Sequence, residues 1–338
     1  MINGFGMVAS YGIFLPHWQK VLNRPASDVS WVGSLQLCMP FAVSSFSGRV
    51  MDAGYFRPIL VVGCGLHIFG IFCTASLSQY WQLDITLALG VASCGAPVGG
   101  VIFPVLQDKL DYSWVIRIMG FVVLFNTILI LLIARPKKLH RPRAPLVDLQ
   151  AWKEPAYTLF AIGLFTICPG LFFPYFYMPK YGGEVIGLPS STSLTMLLIL
   201  NSVGIPARLI PTFVAHYFFG AFSVLIPFSF CTGIMNFVWL IITEPSSFIS
   251  FSVVFGVVAN AVLTTDLTKM GTRIGMIMTF ASLACLIGPP ISGFLIARGK
   301  GSFRYAQIFA GTTVLAGTAI MCVSRWLQIW GVMKWEFL

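Results

Sequence analysis

Arg208 is the side chain in this sequence with the most distinctive chemistry. It stands in "NSVGIPARLIPTFVAHY", Asn201 to Tyr217, well inside an apolar stretch. An arginine near the centre of a membrane-spanning helix costs about 2.5–3.5 kcal/mol on insertion scales, so it faces a water-filled cavity or a partner. A guanidinium stays charged and can grip a carboxylate through two parallel hydrogen bonds. Binding of an organic anion is one use of Arg208. The other is a cation near a surface, with its stem in lipid and its head in water.

A second polar cluster interrupts the apolar sequence at "FSGRVMDAGYFRP", Phe46 to Pro58. Gly48 allows close packing at a helix end, where a side chain would obstruct the approach. Asp52 can form charge-assisted hydrogen bonds to a helix N-terminus or to an arginine. Such a contact can hold two parts of a protein together in one state and release them in another. The simpler reading of Arg49, Asp52 and Arg57 is a short solvated loop.

Other reactive groups are sparse. His67 and His216 titrate near neutrality, yet each also fits as an interior or interfacial polar residue. No Asp or Glu falls in the middle of a predicted span. The sequence has no H-E-x-x-H, no G-x-S-x-G and no intramembrane acid pair, which argues against an enzyme. The eight cysteines lie almost entirely in apolar runs without a C-x-x-C pair. They read as small buried hydrophobes, so no metal and no cofactor is expected.

Helices in lipid must carry these groups. Of 338 residues, 57% are hydrophobic and 9% are charged, and the mean hydropathy is +0.86. Soluble domains carry about 25% charged residues. The bilayer must therefore solvate most of this chain, and backbone groups in lipid need internal partners. The apolar runs are long and lack the roughly ten-residue alternation of membrane strands. A helix needs about 20 mostly apolar residues to cross the hydrocarbon core.

Eleven stretches qualify: Ile2–Val21, Val29–Gly48, Ile59–Leu77, Thr86–Leu106, Trp114–Ala134, Ala156–Met178, Ser193–Tyr217, Ala221–Thr243, a short Phe248–Leu263, Ile274–Ala297 and Tyr305–Leu327. The longest polar interruption, Arg135 to Pro155, holds six Lys/Arg residues and separates five spans from six. Clustered basic residues stay cytoplasmic, which also explains the net charge of +10 without nucleic acid. "SCGAPVGGVIFP" (Ser93–Pro104) and "SLACLIGPPISG" (Ser282–Gly293) align Ser93 with Ser282 and Gly99 with Gly288. Carriers built from parallel halves leave traces of this kind. Gly95 and Gly99, four apart, let helices approach closely in lipid.

The charged stretch reads G-R-V-M-D-A-G-Y-F-R. It resembles the loop between helices two and three of the major facilitator superfamily, roughly G-x-x-x-D-R-x-G-R-R. Gly48, Asp52 and Arg57 match, and Ala53 replaces the usual arginine. "D-x-G-Y-F-R" is similar to the fungal branch of the monocarboxylate porters. "YGIF" (Tyr11–Phe14), "SWVGSLQ" (Ser30–Gln36), "GVASCGAPVGGVIFP" (Gly90–Pro104), "DLQAWKEPAY" (Asp148–Tyr157) and "GTRIGM" (Gly271–Met276) resemble further segments of that branch, in the same order.

The resemblance implies an all-α polytopic membrane protein in the major facilitator fold. It implies two pseudo-symmetric helical halves and about 11 spans instead of 12. Residues 1–134 would form the N-terminal half with about five spans, 135–155 the basic cytoplasmic loop, and 156–338 the C-terminal half with about six. Substrate contacts are expected at Arg208, Tyr11 and Asn201. A conformational latch is expected at Gly48, Asp52, Gly54, Arg57 and Arg273, and helix packing at Gly95, Gly99, Gly288 and Gly293. Arg208 is also compatible with the second half's copy of the loop motif, G-R-x-x-P-G-x-x-A-D. Arg208 and Pro211 keep that pattern, whereas Ala207, Thr212 and His216 depart from it. Animal members carry an aspartate where this chain has Gly204, so proton coupling rests on the resemblance alone.

The implied function is secondary transport of a monocarboxylate or related small organic acid, in the plasma membrane or a vacuolar membrane. The partners are the lipid bilayer, a small organic anion and, through the resemblance, protons. One helix is missing from the expected set. After "SLSQYWQ" (Ser76–Gln82) the sequence passes through "LDIT" straight into the fifth-helix pattern. Losing one span inverts every later one, so the charged stretch and the basic central loop would face opposite sides, against the positive-inside rule. A second reading follows: a truncated or degenerate carrier without transport activity, acting as a regulatory or scaffold membrane protein.

Overall fold

The structure is a computed structural model. It describes residues 11–12, 15, 18–19, 23–43, 58, 61–66, 68–69, 114, 117–118, 120–121, 124–125, 127–128, 132, 150–214, 221–264 and 272–329. Among these residues all regular structure is helical, as a chain with this hydropathy requires in lipid. The long helices are α1 (Ala26–Ala42), α2 (Pro155–Leu171), α3 (Phe173–Glu184), α4 (Ser190–Val214), α5 (Ala221–Val238), α6 (Pro245–Thr264), α7 (Thr272–Arg298) and α8 (Arg304–Ile329).

Helices α2 and α3 together make one span of 30 residues, Pro155–Glu184, interrupted only at Phe172. Its prolines explain the interruption. Pro155 starts α2 at a position where a missing N–H is harmless. Pro169, Pro174 and Pro179 deprive the carbonyls of Phe165, Gly170 and Tyr175 of their usual donors four residues ahead. Phe222–Ile241, Pro245–Leu263, Gly275–Arg298 and Arg304–Ile329 are also long and apolar enough to cross a membrane. The sequence pattern predicted a short span from Phe248; helix α6 begins at Pro245 and reaches 20 residues. Ser246 and Ser247 lowered the apolar signal there, but small polar residues are well tolerated in a first turn.

The helices pack as interlocked pairs: α2 on α8, α1 on α7, α4 on α6, and α5 against both α8 and α6. Small residues bring the backbones together. A Cβ on Gly317 would lie 2.6 Å from the Gly163 carbonyl oxygen, and one on Gly163 would lie 3.0 Å from that of Gly317. Between α4 and α6, a Cβ on Gly256 would meet the Leu200 carbonyl oxygen at 2.6 Å. Such close approach raises the dispersion attraction that holds helices together in lipid, where the hydrophobic effect between them is absent. Aromatic residues fill the centre: Trp239 is fully buried with Phe173, Tyr181 and Phe251 around it.

Candidate functional site

Helix α1 comes from the first half of the sequence and α7 from the second. They run antiparallel. Ser27 of α1 lies against Gly293, and the carbonyls of Phe41 and Ala42 lie at Thr279. The C-terminal end of α1 leads towards the charged stretch 46–58, and it is called the charged end here. The other is the far end.

At the far end the two halves meet through rings, glycines and hydroxyls. Tyr11 is buried and donates its hydroxyl to the Val29 carbonyl at 2.6 Å, which ties it to α1. Its ring packs on Phe176 of α3 with centroids 5.1 Å apart. Gly33 makes room for both rings: a Cβ there would come within 2.5 Å of Tyr11 and 2.7 Å of Phe176. A Cβ on Gly12 would meet the Tyr175 carbonyl oxygen at 2.5 Å. That carbonyl is one of those deprived by a proline. Beside it, Ser30 and Tyr177 share a hydrogen bond of 2.6 Å, and Tyr177 also lies 2.9 Å from the Pro289 carbonyl oxygen on α7. Ser30 and Tyr177 are completely buried.

The charged end is built differently. Arg273 donates both terminal nitrogens to the Glu154 carboxylate, at 2.8 and 2.9 Å. This bidentate geometry is the strong form of the interaction. Tyr157 donates its hydroxyl to the Arg273 carbonyl at 2.8 Å. Trp152, in a short 3-10 turn over Ala151–Lys153, packs edge-on against Tyr157 and Phe280. Thr158 donates to the Trp152 carbonyl at 2.7 Å. The segment before α2 is thereby fastened to the start of α7. Thr279, on the same stretch of α7, reaches the carbonyls of Phe41 and Ala42 at 3.4 and 3.2 Å.

The remaining expected site residues fall as follows. Arg208 lies within helix α4, one turn beyond Gly204 on the same face; its side chain lies outside what the structure describes. Asn201 is half-buried and donates to the Leu197 carbonyl at 3.0 Å. Gly204 leaves space that the amide of Asn260 fills: a Cβ there would lie 2.5 Å from its nitrogen. Gly288 faces Pro169, with a Cβ contact of 2.6 Å to its Cα. Gly48, Asp52, Gly54, Arg57, Gly95, Gly99, His67 and His216 lie outside the described residues. Among the described residues no cluster of His, Cys, Asp or Glu could hold a metal ion.

Glu154, Ser30 and Tyr177 are the contacts that the sequence reading missed. Glu154 had a signal, since it immediately precedes a proline at a helix start. The Ser30–Tyr177 pair had none.

Long apolar helices, with a helix from the first part of the sequence packed against helices from the second, are the architecture of a polytopic membrane protein. An MFS-type transporter of Gibberella zeae is 33% identical over 96% of this chain and 83% of its own length. An aspyridones efflux protein of Emericella nidulans is 27% identical over 98% of the chain and 76% of its own length. An agnestins efflux protein of Paecilomyces divaricatus is 26% identical over 95% and 83%. Among solved structures, the fucose:proton symporter of E. coli superposes with a TM-score of 0.61 at 12% identity, covering 96% of this chain and 97% of that one. No family model matches. The chain belongs to the major facilitator superfamily. It is a multi-pass integral membrane protein and a secondary transporter of a small molecule, in a family of carriers rather than enzymes.

Proposed function

We propose that this carrier exports a small organic-acid metabolite by alternating access, with Arg208 binding the carboxylate. The observation that supports the reading is the position of Arg208 in the sequence of α4, one turn beyond Gly204. The names of two relatives, efflux proteins for agnestins and aspyridones, support the outward direction. Asn201 lies two turns before Arg208 on α4, on the same face, and completes the carboxylate contact. Tyr11 contributes from the first half when the seam opens. The latch is completed by Gly48, Asp52, Gly54 and Arg57 of the charged stretch, with Arg273 across the seam. The plasma membrane is the expected location, and a fluorescent fusion at the vacuolar rim would overturn that.

Transport of labelled monocarboxylates in proteoliposomes tests the function. Arg208→Ala should abolish saturable flux, and Arg208→Lys should raise KM more than it lowers kcat, because an ammonium cannot make the bidentate contact. Flux unchanged in Arg208→Ala would remove the proposed site. Proton coupling is read from the same vesicles: an imposed pH gradient should drive accumulation of the acid.

A second reading has its own observation. The alignment to the Gibberella relative spans 371 positions although only 96% of the 338 residues take part, so tens of its positions face gaps within this chain. This fits the fourth helix missing after Gln82. A chain so shortened would act as a non-transporting partner, and absence of flux for every acid tested would favour it. Protease mapping of the charged stretch and the central loop complements that test. Both loops on one side would mean that a re-entrant segment replaces the missing crossing.

A further inference from the structure

Among the described residues, Ser30 and Tyr177 at the far end of the seam make three short polar contacts with only two protons to fill them. Ser30 lies 2.6 Å from the Ala26 carbonyl oxygen in its own helix and 2.6 Å from the Tyr177 hydroxyl. Tyr177 lies 2.9 Å from the Pro289 carbonyl oxygen in its own half. Each hydroxyl has one proton. When the seam is closed, two of the three contacts are hydrogen bonds at any moment. Either Ser30 donates to Tyr177, which donates to Pro289, or Tyr177 donates to Ser30, which donates to Ala26.

We infer that Ser30 and Tyr177 form a gate that opens with no change in the number of hydrogen bonds. The inference rests on the alternating-access reading above. Only the Ser30–Tyr177 contact crosses between the halves. Once it breaks, Ser30 donates to Ala26 and Tyr177 donates to Pro289. Both acceptors already lie within hydrogen-bond distance, so the open seam has two hydrogen bonds, as the closed one does. Neither state leaves a hydroxyl proton without an acceptor, in a place where an orphaned donor is expensive. The hydroxyls therefore set the register of the closed seam and contribute little to its closing energy. Closure comes from packing, with Phe176 and Tyr11 seated over Gly33 and the Tyr175 carbonyl against Gly12.

The test measures far-end opening directly. Spin labels on unnatural residues at positions 24 and 298, both exposed and on opposite sides of the seam, leave the native cysteines untouched. Distance distributions are recorded for the full chain in lipid nanodiscs. Ser30→Ala, Tyr177→Phe and their double variant each have the same hydrogen-bond count open and closed. They should change the open-to-closed ratio by less than about threefold. Gly12→Ala inserts a methyl across the seam and should raise that ratio by about tenfold or more. Phe176→Ala provides the same contrast should the glycine variant fold poorly.

A shift by Ser30→Ala or Tyr177→Phe comparable to that of Gly12→Ala overturns the gate, while leaving alternating access in place. A single unchanging distance in every variant overturns alternating access, and the gate with it.

Discussion

The two ends of the α1–α7 seam are built with different chemistry. At the far end the contacts across the seam are uncharged, with fully buried Phe176, Ser30 and Tyr177 and backbones brought close by glycine. The charged end carries a bidentate ion pair whose side chains keep 27% and 19% of their exposure, plus two longer hydroxyl contacts from Thr279. Packing is short-ranged, so it is lost abruptly as surfaces part. Charge acts over several ångströms and is screened by salt. The far end is thus suited to a sharp two-state closure. At the charged end the ion pair lies entirely within the second half, joining the segment before α2 to α7, so it survives movement of α1.

Removing the packing should produce the largest change. Phe176→Ala takes a fully buried ring out of the far end, a loss of about 3 kcal/mol or more where the site cannot collapse. Labels at positions 24 and 298 should report a predominantly open far end. Should the closed distance persist, the packing account of closure is wrong.

An intermediate effect is expected from Glu154→Gln, which leaves Arg273 without its carboxylate. Hydrogen bonds to charged groups contribute about 1.5–3 kcal/mol, and partial exposure lowers that here. The thermal unfolding midpoint in detergent should drop by a few degrees. Far-end distances should stay as in the wild type, because the pair does not cross the seam. The wild-type midpoint should fall as salt is raised, and that of Glu154→Gln should respond less. Equal salt responses would show that the pair contributes nothing.

Thr279→Val is expected to do least. Its contacts to Phe41 and Ala42 are 3.4 and 3.2 Å long, and one proton serves both. The unfolding midpoint and the label distances should change by less than the equivalent of about 0.5 kcal/mol. A clear opening of the charged end, read from labels beside Val43 and Arg273, would give that threonine a larger part in joining the halves.

The helices were legible because burial in lipid demands long apolar runs, and α5, α7 and α8 lie close to the stretches that hydropathy marks. The start of α6 was not, since Glu244, Pro245 and two serines read as a loop while serving as a helix start. The proline-made break at Phe172 was hidden inside one continuous apolar run. Gly288 and Gly293 stood out as small residues, but their partners, Pro169 and Ser27 with Tyr177, lie far away in sequence. Ser30 and Tyr177 are 147 residues apart, and Glu154 and Arg273 are 119 apart. A periodicity argument reports which face of a helix is apolar, and it holds no information about which distant helix will cover that face.

The interruption at Phe172 has a mechanical consequence. Helix α2 is interlocked with α8 through Gly163 and Gly317, whereas α3 carries Tyr177 and Phe176, which meet the first half at Ser30 and Tyr11. The break therefore separates an anchored stalk from a tongue. Tilting the tongue requires bending at one residue flanked by prolines, with most of the stalk's contacts left intact. The stiffness of the far end is then a property of a few peptide units, and a substitution at the buried Pro174 would retune it.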